Sequence, residues 1–154
     1  MKEPARAKVL FVCIGNSCRS PMAEAIARRD AAEEMEPMSA GVAPLGFVAE
    51  MTIHTILTNG YPAEGLESKP ILRETWEVAD IVINMSGRPR ELAFPEHAKV
   101  EDWDIADPYG DDAEIYQRTF EKIQRRVALL AERLRGKARE DVSQRSSEPG
   151  NKKT

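Results

Sequence analysis

Two cysteines in 154 residues are too few for a disulfide-stapled secreted scaffold; in a reducing compartment such thiols serve packing or chemistry. Long apolar runs are missing as well. Stretches such as Val9 to Ile14 and Val127 to Leu130 fall far short of the roughly 20 residues that span a bilayer. The opening Met1-Lys2-Glu3-Pro4 has no apolar leader core, so a cytoplasmic protein without a membrane partner is expected. Positive charge is not in excess: 22 Lys and Arg against 26 Asp and Glu leave a net charge of −4. That balance argues against nucleic acid or an anionic membrane as the main partner, and any anion site must be local. Only two histidines occur, His54 and His97, and neither sits in a motif. Both read as structural or surface residues.

What is present suits one globular domain with a real core, at 42% apolar and 31% charged residues. Lys8 to Cys13 is an apolar run that stops at Gly15-Asn16-Ser17, the pattern of a buried strand ending in a turn. Pro21 then suits a first helical turn, with Met22, Ala23, Ile26 and Ala27 at helical spacing. Further strands are expected over Pro37 to Gly41, Ala79 to Met85 and around His97 to Trp103. Helices are expected over Ala49 to Asn59 and Lys69 to Val78, with a last one marked by Tyr116, Phe120, Ile123, Val127, Leu130 and Leu134. Arg88-Pro89-Arg90 reads best as a charged helix start. This alternation predicts an α/β fold: a doubly wound parallel sheet with helices on both faces and its ligand site beyond the carboxyl ends of the strands. The domain is expected over 7–136, with the charged segment 137–154 as a disordered tail.

The chemistry concentrates in Cys13-Ile14-Gly15-Asn16-Ser17-Cys18-Arg19-Ser20, set between the first strand and the first helix. Five residues between Cys13 and Arg19 can bend round a tetrahedral oxyanion. Their amides and the helix start would face it, and Arg19 would grip two of its oxygens as a fork. The same field favours a thiolate, which makes Cys13 the candidate nucleophile, and Ser20 can donate to that sulfur. Ile14, Gly15, Asn16, Ser17, Cys18 and Ser20 are thus candidate phosphate-binding residues. Metal ligation by Cys13 and Cys18 lacks two further ligands at plausible spacing, so no metal is expected, and Cys18 reads as packing or as a redox partner of Cys13.

Val12-Cys13 through Ser20-Pro21 resembles the signature of the low-molecular-weight protein tyrosine phosphatases. The resemblance continues through Ser39-Ala40-Gly41, Ala79 to Met85 and Asp107-Pro108-Tyr109-Gly110, and covers most of residues 7–134. It implies a four-stranded parallel sheet and a two-step, cofactor-free reaction through a phosphocysteine. In that scheme Cys13 attacks phosphorus, Arg19 and the loop amides stabilise the transferring group, and Asp107 protonates the leaving phenol. It further implies that Asn16 holds the loop's strained turn with Ser39 as support, and that Tyr109 walls the substrate cleft, where core packing is the alternative.

The same fold and loop serve thioredoxin-coupled arsenate reductases. The spacing from Ser39 to Ser68-Lys69, and Trp103 ahead of Asp107-Pro108, resemble that group more closely. Against it, the segment Asn84 to Arg90 has no resolving cysteine. The expected substrate is therefore a phosphorylated protein or small aryl phosphate. Arsenate with an external thiol reductant is the alternative. Phe47 is a second possible wall and is expected to be exposed, with packing on a short loop as the alternative.

Overall fold

A computed structural model describes residues 6–94 and 96–147. Its elements run β1 (Ala7–Cys13), α1 (Arg19–Asp30), β2 (Met35–Gly41), α2 (Glu50–Thr58), α3 (Arg73–Val78), β3 (Ile81–Asn84), α4 (Arg90–Ala93), β4 (Val100–Asp102) and α5 (Ala113–Ser147). The strands form one sheet in the order β2-β1-β3-β4, and every neighbouring pair is parallel.

β1 lies in the middle because it is apolar on both sides. Val9, Phe11 and Cys13 join one core with Met22, Ile26, Phe120 and Ile123, while Leu10 and Val12 join a second with Val82, Phe94 and Val100. α1 and α5 cover the first face. On the second, Trp76 and Phe94 stack with ring centroids 5.6 Å apart. The chain leaves β1 for β2 on one side and returns for β3 on the other, so the sheet order reverses between β1 and β3. A crevice beyond the strand ends opens at such a switch point. The loop after Cys13 lies there.

Two helix boundaries differ clearly from expectation. The helix expected from Lys69 begins at Arg73, because Lys69 accepts from the Gly41 amide at 2.9 Å and Pro70 bridges to Gly41, drawing the chain out along β2. The charged helix start expected at Arg88 to Arg90 is present: α4 begins at Arg90 with Pro89 as its N-cap. The expected end of order near Gly136 is corrected as well: α5 continues through Ser147. One glycine costs a helix only about 1 kcal/mol, and Arg135, Lys137, Ala138, Arg139 and Glu140 around it all favour helix. Residues 148–154 of the expected tail lie outside the described residues.

Candidate active site

Asn16 is the only described non-glycine residue with positive φ, at 49°, a conformation asparagine tolerates better than most side chains. It turns the chain sharply after β1, and its side chain orders what surrounds it. The Lys69 amide donates to Asn16 Oδ1 at 2.9 Å, which identifies the oxygen end of the carboxamide. Nδ2 must then donate, and it reaches Ser20 Oγ at 2.7 Å and Ser39 Oγ at 3.2 Å. Both hydroxyls accept from Asn16, so their own protons point elsewhere. Ser39 donates to Glu24 Oε1 at 2.5 Å. Ser20 Oγ lies 3.0 Å from Cys13 Sγ, where it can donate to a thiolate, and it can otherwise donate to the Ala40 carbonyl at 3.4 Å. The Ser20 amide, in the first turn of α1, adds a second donor to that sulfur at 3.4 Å. A thiolate at Cys13 is thus met by two N–H or O–H groups and the start of a helix.

The loop is bound down from outside. Val42, Ala43 and Leu45 amides donate to the carbonyls of Cys13, Ile14 and Gly15, and Ser68 Oγ donates to Gly15 at 2.8 Å. Ser17 accepts from the Ala49 amide at 3.0 Å and from Thr52 Oγ1 at 2.8 Å, which anchors the start of α2. Gly41 is needed where it stands: a Cβ there would meet the Ile14 carbonyl oxygen at 2.7 Å and the Asn16 nitrogen at 2.9 Å. With its carbonyls held outward, the amides of Ile14 to Cys18 donate to no protein acceptor among the described residues. They are free to converge on an anion.

Arg19 closes the arrangement from its buried position, 4% exposed. Its Nη1 donates to the Met85 carbonyl at 2.6 Å and the Ile105 carbonyl at 2.8 Å, which fixes the guanidinium plane against the ends of β3 and the β4–α5 loop. The opposite edge carries Nε and Nη2. Nε is buried with no partner, the only such side-chain atom among the described residues, and Nη2 lies 3.6 Å from Asp107 Oδ2. An edge with two parallel donors is the fork that takes two oxygens of a phosphate. Asp107 is half-exposed, and its other oxygen accepts from the Tyr109 amide at 3.1 Å.

A comparison of sequences decides the family. The family described as "Low molecular weight phosphotyrosine protein phosphatase" matches residues 8–140. The chain belongs to this family. Among its relatives, the protein-arginine-phosphatase of Bacillus subtilis (strain 168) is 32% identical over 146 residues, covering 82% of this chain and 96% of that protein. Arsenate reductase 1 of Bacillus cereus is 30% identical over 126 residues, covering 80% and 93%. Among solved structures, the arginine phosphatase from Geobacillus stearothermophilus superposes with a TM-score of 0.79 at 29% identity, covering 87% of this chain and 96% of that one. An arsenate reductase in the phosphate binding state gives 0.75 at 29%, covering 83% and 98%. The family here thus includes both phosphatases and arsenate reductases.

Within this low molecular weight phosphatase fold, Cys13, Asn16, Arg19, Ser20, Ser39 and Asp107 are brought together through the contacts above. Tyr109 is 53% exposed beside Asp107, so it packs in no core, and Phe47 is 52% exposed. Leu45 lies over the loop, since a Cβ on Gly15 would meet its Cγ at 2.9 Å. Cys18 is 4% exposed and its sulfur lies 3.5 Å from the Tyr116 hydroxyl. Burial pushes that thiol above its ordinary range, against hydrogen bonds from Thr52 and Tyr116. His54 and His97 are exposed, away from these contacts. Sequence reasoning missed Glu24, the Met85 and Ile105 carbonyls, and Tyr116. The carbonyls carry no sequence signal. Glu24 and Tyr116 sit at helical positions that read as a polar face and a core stripe.

Proposed function

We propose that the protein is a cysteine-dependent phosphomonoesterase acting on phosphotyrosine or other aryl phosphates through a phosphocysteine. The observation that carries this reading is the guanidinium of Arg19: one edge is fully spent on two carbonyls, and the other is left with an orphaned Nε and with Asp107 beside Nη2. Oxyanion grip and proton donor are thereby referred to one rigid plane.

In the first step the Cys13 thiolate attacks phosphorus in line, and the loop amides with Arg19 take up the equatorial charge. Asp107, protonated, gives its proton to the departing phenol oxygen, a poor leaving group without it. In the second step the Asp107 carboxylate takes a proton from water, the water oxygen attacks phosphorus, and the Cys13–phosphorus bond breaks. Ser20 donates to the departing sulfur in this step. Tyr109, Phe47 and Leu45 offer apolar surface to an aryl group beside the loop. The substrate's carrier is a phosphorylated protein or a small aryl phosphate, met in the cytoplasm.

Arsenate reduction is the second reading, since relatives carry that name and arsenate matches phosphate in shape and charge. It requires an external thiol here, because the only other cysteine, Cys18, is buried against Tyr116.

The test offers the protein para-nitrophenyl phosphate, phosphotyrosine and phosphoarginine peptides, and arsenate with thioredoxin, glutathione or mycothiol systems. Phosphate release that Cys13→Ser abolishes is the expected result. Thiol-dependent arsenite production with negligible phosphatase turnover would reverse the two readings. Asp107→Ala should slow aryl phosphates with basic leaving groups by about 100-fold and those with acidic ones much less; equal losses would remove Asp107 from the acid role.

A further inference from the structure

Asn84 ends β3, a strand otherwise made of Ile and Val, and is 3% exposed. A carboxamide buried there is costly unless its bonds are made. It has two protons to give and two lone pairs to fill, and all four are used. Nδ2 donates to the Arg88 carbonyl and to Asp102 Oδ1, each at 2.9 Å. Oδ1 accepts from the Ser86 amide at 3.1 Å and from Ser86 Oγ at 2.6 Å. The Arg88 amide in turn donates to Ser86 Oγ at 3.1 Å, and Gly87 supplies the positive φ, 80°, that lets the chain turn back. Asp102 is the register partner of Asn84 on β4, so the two side chains stand side by side on one face of the sheet.

The turn closed in this way carries one of the two carbonyls that aim Arg19. The Met85 carbonyl and the Ser86 N–H belong to one planar peptide unit and point in opposite directions. Arg19 Nη1 donates to that carbonyl at 2.6 Å, while Asn84 Oδ1 holds the N–H from the other side. Rotating this plane would swing the carbonyl off the guanidinium, and the Asn84 bond opposes the rotation. The Met85 amide is itself held by the Val12 carbonyl at 2.7 Å, so the chain ahead of the plane cannot follow it. The second carbonyl on Nη1, that of Ile105 at 2.8 Å, lies between β4 and α5 where the chain has no regular structure. The Met85–Ser86 plane is thus the support for Arg19 that is built into the sheet.

We propose that Asn84 is a positioning residue for the oxyanion grip: through the Met85–Ser86 peptide plane it sets the guanidinium of Arg19 so that Nε and Nη2 face the anion. This rests on the role given to Arg19 above, and it holds for phosphate and arsenate alike. An arginine tilted out of that plane leaves the thiolate and the proton donor in place and weakens the two-pronged hold on the anion. The loss therefore falls evenly on all leaving groups, unlike the loss of Asp107.

Asn84→Leu keeps the size of the side chain and removes all four bonds. Asn84→Asp keeps an acceptor for the Ser86 amide but sets a second carboxylate beside Asp102. The grip is read without turnover, as the concentration of inorganic phosphate that half-protects Cys13 from alkylation by iodoacetamide. Asn84→Leu should raise that concentration about 10-fold and lower kcat/KM by a similar factor for basic and acidic aryl leaving groups. Asn84→Asp should change both by less than about 3-fold, although the paired like charges lower its melting temperature. In an Arg19→Lys background Asn84→Leu should add less than about 2-fold, since lysine has no planar edge to aim. Asn84→Ala provides the reading if Asn84→Leu unfolds by circular dichroism. Unchanged protection in Asn84→Leu, losses in Asn84→Asp as large as those in Asn84→Leu, or the full loss persisting beside Arg19→Lys would each show Asn84 to be a structural tie only. If phosphate protects Arg19→Lys as well as the wild type, the grip assigned to Arg19 fails and the role of Asn84 with it. Weakened protection in Arg19→Lys beside unchanged protection in Asn84→Leu removes the role of Asn84 alone.

Discussion

Replacing Asn16 separates what its backbone does from what its side chain does. Asn16→Gly keeps the positive φ without strain but loses the bonds to Ser20, Ser39 and the Lys69 amide. Asn16→Ala loses the same bonds and adds about 1 kcal/mol of backbone strain. Both variants should lose about 10- to 100-fold in kcat/KM, the cost of one to three kcal/mol of lost orientation. Melting temperature should fall further for alanine than for glycine; the reverse order would mean that the positive φ at this position costs alanine nothing. This residue also marks the limit of reading chemistry from sequence. Cys13, Arg19 and Ser20 could be named as candidates because their side-chain types at that spacing are tied to the chemistry, and Asp107 only through the family resemblance. The direction of every proton around Asn16 depends on Lys69, 53 positions away, and no local pattern encodes it.

At the scale of elements, strands were legible and helix limits less so. β1 and β3 are runs of apolar residues too short to be anything else, and α5 announces itself by its stripe from Tyr116 to Leu134. α3 starts later than its pattern suggests, because an extended segment that pairs with Gly41 looks, in one dimension, like helix. α5 runs past its apolar stripe at the C-terminal end, because the stripe marks only the part of the helix that is buried. Beyond Gly136 the helix is exposed at Lys137 and from Arg139 to Gln144. Truncation after Gly136 should therefore move the melting temperature by less than about 4 °C and leave turnover unchanged, while mean helicity by circular dichroism falls. A larger drop in melting temperature would mean that the distal turns pack on something in the fold.

For the molecule as a whole, the α/β class, the four parallel strands and the position of the site beyond their carboxyl ends followed from the alternation of elements and from Cys13. The order β2-β1-β3-β4 came only from the structure, since spacing alone does not rank strands. What ties the far edge of the sheet to α5 is electrostatic: Arg133 Nη2 meets Glu101 Oε1 at 2.7 Å. Burial raises the Glu101 carboxyl, but Arg133, Trp103 and Arg126 outweigh it and hold the group below its ordinary 4.5. A carboxyl lowered by folding stabilises the folded state fully above its unfolded value and loses that contribution as pH falls through the folded one. Urea midpoints should thus decline below about pH 4.5 more steeply in the wild type than in Glu101→Gln, by a small margin because the pair is partly hydrated. Parallel declines would assign acid sensitivity to other carboxylates.

The length of α5 has a consequence for the shape that the protein presents in solution. At 1.5 Å per residue its 35 residues extend about 52 Å, whereas a compact chain of some 130 residues has a radius of gyration of about 14 Å. The fold therefore diffuses and scatters as a globule with a charged rod projecting from one end, and its largest dimension is set by a helix that begins three residues after Gly110 and points away from the catalytic mouth's own chemistry.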